Sequence, residues 1–140
     1  MAISQAMCTS FKVELFGGVH DLDTDVIKMA LYTSSASLGA TTTAYSATNE
    51  VASGGGYTTG GNTLTSPVIT SSGTTAYVDF ADSTWTTASF TARGALIYNS
   101  SKSNAAIAVL DFGADKTATS GDFTVIMPTA DASNALLRIA

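Results

Sequence analysis

The run Thr75-Ala76-Tyr77-Val78-Asp79-Phe80-Ala81 decides the fold. Ala76, Val78 and Phe80 alternate against Tyr77 and Asp79, the period of two that sends neighbouring side chains to opposite faces of a sheet. Ser71-Ser72-Gly73 precedes it as a turn. The pattern recurs where Phe123, Val125 and Met127 alternate against Thr124 and Ile126. Half-buried strands of this kind build sandwiches.

Working outward, Asp25, Ile27, Met29 and Leu31 occupy one face of a strand, and Val26, Lys28, Ala30 and Tyr32 the other. Further strands are predicted over residues 63–70, 75–81, 89–99, 105–112, 123–127 and 135–139. They are separated by turn chemistry at 71–73, 99–104, 113–116 and 119–121. With no helices placed for βαβ crossovers, about seven short strands predict an all-β chain, an antiparallel β-sandwich or open barrel.

One helix is predicted, over about residues 4–16. Met7, Phe11 and Leu15 recur at intervals of four, Ser4 serves as N-cap and Gly17-Gly18 as the stop. Its apolar face either covers a sheet or inserts into another subunit. The 140 residues are expected to form a single domain, 1–140, with the sandwich over about 24–140.

Between Lys28 and Asp79 the only charged residue is Glu50, so the segment 34–61, a long Ser/Thr/Gly-rich loop, carries almost nothing capable of acid, base or nucleophilic chemistry. It is expected to lie on a neighbouring surface. Gly54-Gly55-Gly56 would then matter to assembly more than to folding.

Charged residues make up 12% of the chain, about half the roughly 25% usual in globular proteins. That deficit points to surface buried by partners. A net charge of −5 with six scattered Lys and Arg disfavours nucleic acid. No run approaches the roughly 20 apolar residues of a membrane-spanning helix, and residues 1–7 lack the basic and apolar regions of a secretory signal. The single Cys8 forms no intrachain disulfide and suits a reducing compartment.

Several constellations fail on spacing. His20-Asp21-Leu22-Asp23-Thr24-Asp25 resembles the start of a calcium loop, but its sixth and twelfth positions from Asp21 are Val26 and Tyr32 rather than Gly and Glu. A solvated turn is the better reading. Cys8 and His20 show no nucleophile spacing, and Gly61 is followed by Asn62 rather than by the Lys of a phosphate loop. Tyr45, Tyr57, Trp85 and Tyr98 offer no compact sugar platform. Trp85 is expected at a sheet edge or subunit contact. Asn99-Ser100-Ser101 matches a glycosylation acceptor but reads as a hairpin turn. No catalytic, cofactor-binding or metal-binding residue is assigned. Met7, Phe11, Leu15, Tyr45, Tyr57 and Trp85 are the candidate interaction surface.

The succession Phe11-Lys12-Val13-Glu14-Leu15, Gly18-Val19-His20-Asp21, Lys28-Met29-Ala30-Leu31-Tyr32-Thr33, residues 44–51, Gly56-Tyr57-Thr58-Thr59-Gly60-Gly61, Val78-Asp79-Phe80-Ala81 and residues 92–99 resembles a family of small virion proteins of tailed bacteriophages. The likeness covers nearly the whole chain, and its motifs are structural. The resemblance implies a non-enzymatic structural protein, a capsid decoration or cement protein on the virion surface, assembled in the bacterial cytoplasm. Its implied partners are the major capsid protein and copies of itself, with no cofactor, nucleic acid or membrane. A tail or neck ring component, or a host-glycan-binding receptor module, are the alternatives.

Overall fold

A computed structural model describes residues 2–131 and 133–140. It is all-β, with one helix and two antiparallel sheets. The elements are β1 (Ala6–Met7), α1 (Thr9–Phe16), β2 (Ile27–Tyr32), β3 (Asn62–Thr63), β4 (Val68–Ser72), β5 (Thr75–Asp79), β6 (Ser83–Asn99), β7 (Ala105–Val125) and β8 (Leu137–Ile139). The larger sheet has the order β1-β7-β6-β2-β3 and the smaller β4-β5-β8, in an open, sandwich-like arrangement.

The helix is shorter than expected, Thr9–Phe16 rather than 4–16. Residues 3–7 find backbone partners in the sheet instead. Ile3 bridges Leu38, while Ala6 and Met7 pair with Val109 and Ala108. Local periodicity yields to tertiary pairing. Ser4 is therefore not the cap; Cys8 occupies that position without a side-chain capping bond. The stop at Gly17-Gly18 holds, since Gly17 N–H donates to Glu14 and Val13 carbonyls and Gly18 has φ +70°.

The predicted strand 63–70 divides into β3 and β4, one in each sheet. Ser66 has φ +53° and Pro67 lacks an N–H, so the chain leaves one ladder there and joins the other. Conversely, the turns expected at 113–116 and 119–121 lie inside β7, a single strand of 21 residues. The ladder passes from Ala92↔Lys116 to Gly94↔Asp111. Gly113 and Ser120, at φ +80° and +48°, turn the backbone locally while pairing resumes on either side. These are bulges, which bend a strand without ending it.

Strand β2 is buried almost throughout because the larger sheet is covered on both faces. Asn99 lies opposite Ile27 and bonds His20, whose ring sits 5.0 Å from Phe11 of α1. Tyr98 lies opposite Lys28, on the other face, and there Tyr45 stacks on it at 4.6 Å. The second cover is the segment 34–61, contrary to the expectation of an adaptable loop draped on a neighbour. Val51 N–H donates to Leu31 O, Tyr45 N–H to Asn104 O, and Ser89 N–H to Gly55 O. A Cβ on Gly61 would stand 1.8 Å from Met29 O, so only glycine lets the segment reach the sheet.

Candidate functional site

The polar centre of this cover is Glu50. Its carboxylate accepts hydrogen bonds from Tyr45 Oη at 2.6 Å, Tyr57 Oη at 2.5 Å and the Gly60 amide at 2.7 Å. Tyr57 Oη also accepts from the Leu31 amide at 2.9 Å, and Tyr98 Oη donates to Gly60 O at 2.7 Å. Tyr32 Oη donates to Ser46 O at 2.6 Å. Burial pushes the Tyr98 phenol up to about 12 and the other three phenols higher still, with Glu50 adding to each. The phenols therefore remain protonated donors. The arrangement ties a loop to a sheet and offers no activated nucleophile.

A second polar cluster joins α1 to the β6–β7 hairpin. Asn99 Nδ2 donates to His20 Nδ1 at 3.0 Å and to Asp25 Oδ2 at 2.7 Å, which leaves His20 Nε2 to donate to Glu14 Oε1 at 3.1 Å. Asn99 is fully buried and committed to these bonds, so the apparent glycosylation acceptor is a structural residue. The Asp21 carboxylate receives the Asp23 and Thr24 amides, closing a turn. Among the described residues no three of His, Cys, Asp and Glu converge as metal ligands. Burial pushes the Cys8 thiol up to about 11, away from the thiolate a nucleophile needs.

The six candidate interaction residues separate. Phe11, Tyr57 and Trp85 are buried in the core, a correction to their reading as surface. Trp85 lies opposite Phe123 in the ladder and packs on Phe123 and Tyr57, both of which also meet Phe90. Tyr45 is half-buried against Tyr98. Met7 and Leu15 are half-buried, and with Phe11 they line one groove of about 430 Å3 between α1 and the smaller sheet.

The exposed apolar residues are different ones. Phe16 is 96% exposed and Val13 67%, both on the side of α1 away from Phe11, while Ile69 and Ile139 stand exposed on the smaller sheet at the groove. Phe16 falls one residue off the 7-11-15 stripe and abuts Gly17-Gly18, so it was legible only as a helix end. Beyond Val109 the outer edge of β7 has no strand partner among the described residues.

No family model, no curated protein and no solved structure matches this chain.

Proposed function

We propose that this chain is a non-enzymatic structural protein of a tailed-bacteriophage virion, a capsid decoration protein that binds the major capsid protein and stabilises the head. The observation that carries the reading is the apolar surface around α1 in a chain with only 12% charged residues. A helix apolar on both sides is ordinarily covered on both sides. The sequence resemblance supplies the virion context. In a shell, many modest contacts held at high effective concentration resist rupture together.

A tail or neck ring is the second reading, favoured by the unpaired outer edge of β7, which another chain could extend. Quantitative mass spectrometry of purified particles separates the two. Decoration expects on the order of hundreds of copies per particle, and a ring expects about six or twelve. Absence from the particle would remove both readings.

A further inference from the structure

We infer that the outward face of α1 and the groove beside it form a reciprocal, two-fold contact between two copies of this chain, with Phe16 of each copy seated in the groove of the other. The inference rests on the reading of the protein as an assembly component and names one of its contacts.

Helix α1 has two apolar faces. Phe11 points into the chain's own core, and Leu15, one turn on, lines the groove. At 3.6 residues per turn Phe16 projects roughly 140° around the helix from Phe11, with Val13 roughly 60° beyond it. Neither can turn back into the core that Phe11 fills. The groove has the converse deficiency. Ile69, Val78, Leu137 and Ile139 form its wall on the smaller sheet, facing Met7, Phe11 and Leu15, and nothing in the described chain fills the roughly 430 Å3 between them. A volume within the range that takes a drug-sized ligand accommodates a phenyl ring readily.

Small polar ligands have little to hold in this groove. Both ring nitrogens of His20, the buried polar residue lining it, are engaged, by Asn99 and by Glu14. The rest of the lining is mainly apolar, which suits an apolar side chain. Charge selects a second copy. Lys12 is exposed four residues before Phe16, on the same strip of α1, and takes part in no ion pair among the described residues. Asp21 stands on the groove rim as an exposed carboxylate, held ionised chiefly by the Thr24 hydrogen bond. Apolar side chain with flanking cation thus meets apolar groove with flanking anion. Because knob and groove adjoin in one molecule, a two-fold axis between them satisfies both copies at once, as an isologous interface requires.

Sedimentation equilibrium of the full chain over roughly 1 to 100 µM tests this, a range matched to micromolar association. The expected result is a dimer whose dissociation constant rises at least about thirtyfold in Phe16→Asp, the effect of losing a large anchor from a pocket. Lys12→Glu should weaken it by a few-fold. Both sites are exposed, so thermal unfolding should change little. A photoreactive phenylalanine at position 16 should crosslink to the groove of a second chain, at Met7, Leu15, Leu22, residues 69–78 or residues 137–139. A monomer throughout, a dimer indifferent to Phe16→Asp, or crosslinks elsewhere would each overturn the inference. Particle occupancy is read separately: a monomer that still decorates particles sinks this contact and leaves the proposed function standing.

Discussion

Tyr57 Oη lies 2.5 Å from Glu50 Oε2 while accepting the Leu31 amide at 2.9 Å, so one phenol joins the only charge in the segment 34–61 to the backbone of a buried strand. The relationship makes Glu50 an internal fastener. The single charge of a segment expected to lie on a neighbouring surface is a three-coordinate acceptor holding the cover in place.

Replacing Glu50 by Ala should therefore destabilise the fold by about 3 kcal/mol, since it strands two phenols and an amide. Glu50→Gln, which keeps an acceptor, should cost less. Urea denaturation gives both values, and hydrogen exchange at Gly60 should accelerate in the same order. An Ala variant within experimental error of the parent would show that the network contributes nothing.

Gly61→Ala should be among the most damaging substitutions in the segment. Its Cβ would stand 1.8 Å from Met29 O at φ +79°, where backbone faces backbone and neither side can rotate away. Gly55→Ala meets Ser89 O at 2.4 Å, so replacement within 54–56 should impair folding itself, against the expectation that assembly would suffer first. Gly54→Ala meets no atom within 4 Å and carries only the strain of φ +119°. Thermal melts of the three variants should rank accordingly, and equal melting temperatures would refute the clash argument.

Asp79 and Asp25 should respond to pH with opposite signs. Asp79 is buried with no hydrogen-bond partner for Oδ1 among the described residues, and burial raises its pKa. A raised folded pKa means a contribution present below the unfolded pKa and lost as pH rises through the folded one. Asp79→Asn should thus stabilise the protein at pH 7 relative to the parent, with the gain disappearing in acid. Asp25 is lowered, chiefly by the Asn99 hydrogen bond, so its contribution is present above the unfolded pKa and lost as pH falls through the folded one. Asp25→Asn should be destabilising at pH 7 and nearly neutral in acid. Urea midpoints at the two pH values decide each case; a same-sign pair would contradict the assignment.

Cys8 should react slowly with a thiol reagent at pH 8 in the native protein and fast once unfolded, because burial both hides the sulfur and pushes its pKa up to about 11. Stoichiometric labelling within minutes under native conditions would show the helix start to be open.

The class of fold was legible because alternation in residues such as Ala76, Val78 and Phe80 is set by local backbone geometry. Strand limits were not. Gly113 and Ser120 carry the chemistry of turns, yet a turn residue and a bulge residue share the same positive φ, and only the neighbouring strand decides between them. Likewise Met7 fits a helical stripe and a strand pair equally well, until Ala108 pairs with it. Tyr57 and Trp85 stand out in the sequence as large aromatics, but burial depends on what folds over them. The outward Phe16 carries no signal in the sequence because a residue at a helix end has no period of its own.

The pairing of Ala6 with Val109 has a consequence for the birth of the protein. The first strand cannot find its partner until more than a hundred residues later have been synthesised, and β2 likewise waits for β6. Such distant contacts make folding slow and late. On the ribosome Ala6 must therefore wait for Val109 to emerge before the two strands can pair.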